Sequence, residues 1–120
     1  MRYENIYAAV GIIARQDAKI KVGLQHVIAA ISEYYNLRED QIKEHNRSSR
    51  IALARQMGMS ISKHLVPMCS LKDIGKFYGD FDHTTVMHSI NVIANRIELE
   101  YDILEQRTEI IKLVKEQTVK

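Results

Sequence analysis

The residues with the clearest chemical potential form one short run, Asp82-His83-Thr84-Thr85, at the predicted start of a helix. In such a first turn, free backbone N–H groups and the helix dipole favour a phosphate. Threonine and histidine side chains can donate or accept hydrogen bonds at base edges, and a threonine methyl can pack on the methyl group of thymine. Asp82 is suited both to cap the helix and to accept a hydrogen bond from a cytosine amine. The run is therefore consistent with the reading of DNA.

The helix that follows this run has an uncharged outer face. At 100° per residue its apolar stripe faces inward, and this stripe consists of Val86, Ile90, Ile93 and Ile97. The residues predicted to face outward are Thr84, Met87, His88, Asn91 and Asn95. A solvated face would usually carry charge, and carboxylates would repel phosphates. The distribution favours contact with a polyanion.

The net charge of +2 is distributed unevenly along the chain. Residues 1–42 are neutral, residues 77–120 carry −3, and residues 43–76 carry seven Lys and Arg against only Glu44 and Asp73, for +5. A middle block this basic is either a surface that faces a polyanion or an ordinary solvated helix face. Charge alone does not decide between the two.

Catalytic and metal-binding patterns have little support in the sequence. His83 and His88 are five residues apart, about 140° around a helix, so they cannot share a metal ion as an i, i+4 pair would. His45 and His64 have no carboxylate or Cys at ligand spacing, and Cys69 lacks the oriented base that a nucleophile needs. The chain contains no G-x-x-x-x-G-K-[ST] or G-x-G-x-x-G loop. The sequence predicts no enzyme activity, metal, cofactor or small-molecule substrate.

Two helices must position the run at Asp82. Ser70-x-x-Asp73 resembles a capping box and opens a short helix, which Gly79 is placed to end. Asp82 is a good N-cap for the next helix. A short helix, a glycine-containing turn and a second capped helix form the pattern of a helix-turn-helix, here over residues 70–97.

Helical periodicity extends over most of the 120 residues. Five Gly and one Pro are few for the many turns of an all-β fold. The sequence predicts an all-α fold of about six helices, with an N-terminal amphipathic helix over residues 1–23 and one domain over residues 24–120. Further helices are predicted from Leu24, from Ile51 and from about Leu99 or Tyr101. The second of these has one apolar face, formed by Ile51, Ala54, Met57, Ile61 and Leu65, and the last has Ile103, Ile110, Leu113 and Val114 facing inward. A short turn is predicted to be capped by Asp40 or the residue before it, and a polar loop is predicted over residues 44–50. The lone Cys69 fits a reducing cytoplasm, and no apolar run reaches the length of a membrane span.

The run Gly79-Asp80-Phe81-Asp82-His83-Thr84-Thr85-Val86-Met87-His88 resembles the G-G-R-D-H-T-T-V-x-H signature of the C-terminal DNA-binding domain of the bacterial replication initiator DnaA. The likeness extends to Ser70-Leu71-x-x-Ile74-Gly75, Ala54-Arg55-Gln56-Met57, Arg47-Ser48 and Tyr34-Tyr35-Asn36-Leu37, and it covers about residues 24–115. It implies a helix-turn-helix of the Trp-repressor-like type that binds double-stranded DNA at DnaA-box-like sites.

The resemblance also implies roles for individual residues. Asp82, His83 and Thr84 match residues that contact bases in the major groove, Thr85 matches one on bases or phosphate, and Arg47 matches one in the adjacent minor groove. The residues expected to contact the DNA backbone are Arg50, Arg55, Gln56, Lys63, Leu71, Lys72 and His88. Most of them lie in the basic middle block.

The chain departs from the family pattern in three places. Asp80 and Phe81 replace a glycine and an arginine at the tip of the turn, Asn91-Val92 stands where basic residues are frequent, and the turn around residues 66–69 is about one residue longer. If exposed at the tip, Phe81 could pack on a sugar or a thymine methyl, whereas Tyr34, Tyr35 and Phe77 are expected in the core. These changes predict weaker binding or an altered site preference.

Two functions follow from the sequence. The first is occupancy of specific DNA sites in replication control or transcription regulation, without ATPase activity, because the 120 residues have no room for the initiator's ATPase domain. The alternative is a helical module that binds a protein, either the host replication initiator or a second copy through the N-terminal helix.

Overall fold

The computed structural model describes residues 21–119, and these residues form six α-helices without a β-strand. The helices are α1 (Leu24–Tyr35), α2 (Glu39–Ile42), α3 (Ser49–Leu65), α4 (Leu71–Phe77), α5 (His83–Leu99) and α6 (Tyr101–Thr118). The all-α prediction is confirmed. Most of the predicted N-terminal helix lies outside the described residues, and residues 21–23 precede α1 without helical structure.

Helix α3 is the centre of the fold, because it packs against each of the other five helices. Of the predicted stripe, Ile51, Ala54, Met57 and Ile61 are buried, and Leu65 is half-buried. The four remaining residues of the segment from Met57 to Ser62 are buried as well. A single-stripe pattern assumes that one face is covered, whereas α3 is covered on several.

Two boundaries differ from the sequence prediction. The polar loop predicted over residues 44–50 is shorter, because Ser48 caps α3 by accepting a hydrogen bond from Ile51 N–H at 3.4 Å. Ser49 and Arg50 therefore belong to the first helical turn. The short turn predicted near Asp40 is helix α2, and its cap was predicted one or two residues too late. Asp40 and Glu39 lie inside the helix, and the N-cap is Arg38, whose N–H donates to Gln41 Oε1 at 2.9 Å.

Helix α6 buries the predicted Ile103, Ile110 and Val114, whereas the predicted Leu113 is half-buried. The helix also buries Arg107 completely. Arg107 lies on the same helical stripe, but its charge gave no reason to expect it inside. Burial, together with the positive charge of Arg107, lowers the pKa of His64 to about 4. A half-buried histidine that is neutral at pH 7 therefore lies close to a buried arginine.

This histidine predicts loss of stability in mild acid. Below its ordinary pKa of 6.5, His64 binds a proton in the unfolded chain but stays neutral in the fold down to about pH 4. Because the unfolded state binds more protons, the free energy of unfolding falls as the pH is lowered through this window. Urea titrations at pH 7 and pH 5 measure the fall, which we expect to be smaller for His64→Gln. An equal fall in both proteins would contradict the assignment.

Candidate nucleic-acid interface

The turn between α4 and α5 is built on a capped helix and a close backbone contact. At the start of α4, Ser70 Oγ accepts from Asp73 N–H at 3.0 Å and Asp73 Oδ2 accepts from Ser70 N–H at 3.1 Å, which confirms the capping box. After α4 the chain turns at Gly79, with φ +118°, and at Asp80, with φ 58°. Phe81 N–H then donates to Gly75 O at 2.9 Å, so the turn folds back onto α4.

Tyr78 anchors this turn to α3. The side chain is fully buried, and its hydroxyl lies 2.8 Å from Ser62 Oγ. Its ring packs against α3 at Gly58, which has no side chain, and a Cβ at Gly58 would come within 2.8 Å of the ring. Burial raises the pKa of the Tyr78 hydroxyl, which therefore stays protonated and hydrogen-bonded. The helix-turn-helix is thus fixed to the central helix.

Asp82 is the N-cap of α5, as the sequence predicted. Its Oδ1 accepts a hydrogen bond from Thr84 N–H at 3.1 Å and lies 2.9 Å from His83 Nδ1. The hydrogen bond from Thr84 N–H is the main cause that lowers the pKa of Asp82. The carboxylate therefore caps the helix and orients His83, whose side chain is 61% exposed.

The outer face of α5 is uncharged in three dimensions as well. All five residues predicted to face outward are exposed, and Val86, Ile93 and Ile97 are buried, with Ile90 half-buried. Thr85 is half-buried at the edge of this face. The face, defined by Thr84, Met87, His88, Asn91 and Asn95, is called the recognition face below.

The loop between α2 and α3, residues 43–48, lies directly beside the turn. His45 Nε2 donates to Gly79 O at 2.6 Å, and a Cβ at Gly79 would come within 2.2 Å of Lys43 O. Lys43 Nζ lies 4.5 Å from the centre of the Phe77 ring of α4. This contact brings the loop that carries the exposed Arg47 next to the start of the recognition face.

Three predicted DNA-backbone residues have partners inside the fold. The half-buried Arg55 donates to Glu44 O at 2.8 Å and to Asn46 O at 3.3 Å, and burial lowers its pKa. Arg50 donates to Tyr35 O and Asn36 O at the end of α1. Lys63 Nζ donates to Cys69 O at 3.0 Å. The sequence gave no signal for these partners, because they lie six to fifteen residues away in loops and at a helix end. The DNA contacts of Arg50, Arg55 and Lys63 stay predictions.

The other predicted contacts occupy different surfaces. Lys72 is exposed in the first turn of α4, and Leu71 beside it is half-buried. His88 is exposed on the recognition face, whereas Gln56 is half-buried on α3. Of these four residues, Lys72 and His88 are therefore the ones whose side chains are open to solvent.

Phe81 is placed differently from the exposed tip position that the sequence suggested. It is half-buried, with its ring stacked on that of His45 at a centroid distance of 4.0 Å and an interplanar angle of 14°. The Arg55 guanidinium lies 4.7 Å from the same ring. Because these residues are separated by ten or more positions, no local pattern could have indicated the contact.

The remaining described residues contain few candidates for another site. Between residues 21 and 119 no group of three or more His, Cys, Asp or Glu side chains is placed to hold a metal ion. Cys69 is a half-buried free thiol in the segment after α3. None of the helices in that range combines the length and the apolar composition needed to cross a bilayer.

Comparison with known proteins agrees with this geometry. The family model described as the bacterial DnaA protein helix-turn-helix matches residues 24–93, from the start of α1 into α5. The chromosomal replication initiator protein DnaA of Nitrosospira multiformis is 38% identical over 83 residues, which are 69% of this chain and 17% of that protein. The chain thus spans a small part of the length of the relative it matches. It belongs to the family of bacterial DnaA helix-turn-helix domains, which bind double-stranded DNA.

Proposed function

We propose that this chain binds DnaA-box-like sites sequence-specifically, with α5 in the major groove and Arg47 in the adjacent minor groove. The observation that carries the proposal is the exposed, uncharged recognition face, which begins at a capped helix start. A helix fits the major groove, where every base pair presents a distinct pattern of donors and acceptors. The absence of carboxylates on that face removes repulsion from the phosphates that flank the groove.

The base contacts are assigned to the first turn of α5 and to the loop. His83 and Thr84 are exposed and can donate or accept at base edges, and Thr85 can reach a base or a phosphate from the edge of the face. Asp82 caps the helix and accepts from a cytosine amine. Arg47 suits the minor groove, where a narrow A·T-rich segment attracts a guanidinium.

Contacts to the DNA backbone supply affinity without specificity. Lys72 and His88 are exposed beside the turn and are assigned to phosphates. The other residues assigned to the backbone are Arg50, Arg55, Gln56, Lys63 and Leu71. Of these, Arg50, Arg55 and Lys63 would contact phosphate while they also hold the loops that present the interface.

The chain acts in this proposal by occupying its site in the cytoplasm, in replication control or transcription regulation, without ATP hydrolysis. Its 120 residues contain no phosphate-binding loop of the G-x-x-x-x-G-K-[ST] type. The relative in Nitrosospira multiformis is named as a chromosomal replication initiator. A DNA-binding domain of that family can compete for the same sites.

A second candidate is the binding of a protein partner, the replication initiator or another copy of this chain. It is favoured by two apolar side chains at the corner between α5 and α6, Leu99 and Tyr101, which are 84% and 77% exposed. This corner lies at the far end of α5, about 25 Å along the helix axis from Asp82. Such a contact would leave the recognition face open.

Fluorescence anisotropy tests the proposed function with a duplex that carries a DnaA box and a scrambled duplex of the same composition. We expect tighter binding to the box at both of two salt concentrations, and weaker binding to both duplexes at the higher salt. Equal binding to the two duplexes, seen only at low salt, would refute sequence-specific recognition. Selection of bound sites from a random pool then identifies the preferred sequence.

Lys72 provides a separate test of the backbone contacts. We expect Lys72→Ala to weaken binding to the box and to the scrambled duplex by the same factor. Loss of one phosphate contact reduces the slope of log K against log salt by about 0.9. Lys112→Ala, an exposed lysine of α6, is the matched control and should change neither quantity. A loss confined to the box duplex would contradict the phosphate assignment.

A further inference from the structure

His45, Phe81 and Arg55 come from three separate parts of the chain and form one cluster, called the aromatic stack below. His45 belongs to the loop of residues 43–48, Phe81 to the turn before α5, and Arg55 to α3. The two rings stack at a centroid distance of 4.0 Å, and the guanidinium lies 4.7 Å from the Phe81 ring. The stack therefore joins the two segments that carry the proposed minor-groove and major-groove contacts.

Hydrogen bonds fix the stack from both sides. Arg55 donates to the carbonyl oxygens of Glu44 and Asn46, the two residues that flank His45 in the loop. His45 in turn donates to Gly79 O at 2.6 Å. Arg47 follows this clamped stretch directly, so its backbone is held at a set distance from the start of α5.

We propose that the aromatic stack is a positioning device, which fixes Arg47 relative to α5 before DNA binds. The inference rests on the proposed function. It adds the residues that set the distance between Arg47 and α5, and through that distance the choice of DNA site. Phe81 stands where the family signature has an arginine, so the chain replaces a candidate contact with a packing group. A loop ordered in advance avoids the entropy cost of ordering on binding, and a fixed distance admits only one spacing of minor-groove and major-groove features.

A double-mutant cycle with Arg47 tests the inference, because positioning acts only through the residue that is positioned. We expect His45→Ala and Arg47→Ala each to weaken binding to the box duplex by about tenfold, with little change for the scrambled duplex. The double variant should bind within about twofold of Arg47→Ala alone. His45→Tyr, which keeps a flat ring against Phe81, should recover most of the loss.

Two outcomes overturn the inference. If the effects of His45→Ala and Arg47→Ala multiply to about a hundredfold, His45 acts independently of Arg47. If His45→Ala leaves box affinity unchanged, the stack has no part in recognition. Val119→Ala, which shortens an exposed apolar side chain just beyond α6, controls for general effects of losing apolar surface. Circular dichroism melting confirms that each variant is folded.

A measurement without DNA separates this inference from the proposed function. Amide nitrogen relaxation of residues 44–48 reports the order of the loop in the free protein, on the ps–ns timescale. We expect His45→Ala and Phe81→Ala to lower the order parameters of these amides, and Val119→Ala to leave them unchanged. Unchanged order in both stack variants overturns the positioning role. Wild-type protein that does not distinguish box from scrambled duplex refutes the proposed function instead, whatever the order of the loop.

Discussion

Thr84→Ala will lower the affinity for a DnaA-box duplex by about 1–3 kcal/mol, roughly 5- to 150-fold, and leave binding to a scrambled duplex nearly unchanged. Thr84 is exposed in the first turn of α5, and its backbone N–H is already committed to Asp82 Oδ1. The substitution removes a hydroxyl and a methyl that face the groove and leaves the cap intact. The loss therefore reports recognition of bases and not folding of the helix.

Anisotropy titrations of both duplexes measure this effect, with Thr108→Ala as the matched control. Thr108 is an exposed helical threonine of α6 whose hydroxyl donates to Leu104 O at 2.9 Å. We expect this control to bind both duplexes like the wild type. A Thr84→Ala variant that loses the same factor on both duplexes would show that Thr84 contacts phosphate only. Titration of duplexes changed at single base pairs then locates the position that Thr84 reads.

The helix-turn-helix could be predicted from the sequence because its signals are local. The capping box at Ser70, the stop at Gly79 and the cap at Asp82 each depend on residues no more than three positions apart, and the structure confirms them. The recognition face follows from helical periodicity once the start of α5 is known. The same periodicity correctly separated the buried Val86 and Ile93 from the exposed residues.

The features that the sequence did not reveal are long-range contacts. The burial of α3 on several faces depends on five neighbouring helices. Arg107 is fully buried although its side chain is charged. The internal partners of Arg55 lie nine and eleven residues away. Phe81 reaches a histidine 36 positions earlier, so its half-buried position could not be deduced from the turn alone.

The largest effect on stability is expected at Gly75, in the middle of α4. A Cβ built there would lie 2.1 Å from Phe81 O and 3.2 Å from a methyl group of Val86. The first contact is with backbone, so a change of rotamer cannot relieve it, and a shift would break the hydrogen bond from Phe81 N–H to Gly75 O. Overpacking of this kind costs about 1–3 kcal/mol, and an unsatisfied backbone group costs a further 1–3 kcal/mol.

Helix propensity acts in the opposite direction, because alanine is favoured over glycine in a helix interior by about 1 kcal/mol. The steric terms exceed this gain, so Gly75→Ala should destabilise the fold by about 1–5 kcal/mol net. Urea denaturation followed by circular dichroism measures the change. Any remaining folded protein should lose its preference for the box duplex, since the angle between α4 and α5 is set at this contact.

Gly23→Ala is the matched control, because the three atoms nearest to the new methyl all belong to the flexible side chain of the exposed Gln25. Gly23 is the N-cap of α1 with φ −114°, so alanine should cost less than about 1 kcal/mol at this position. Comparable losses at the two glycines would contradict the proposed constraint. A stabilised Gly75→Ala protein would show that propensity dominates and that the turn can move away from α4. If a destabilised Gly75→Ala protein still prefers the box duplex, the recognition face tolerates a displaced turn. The contact at Gly75 would then serve stability and not recognition.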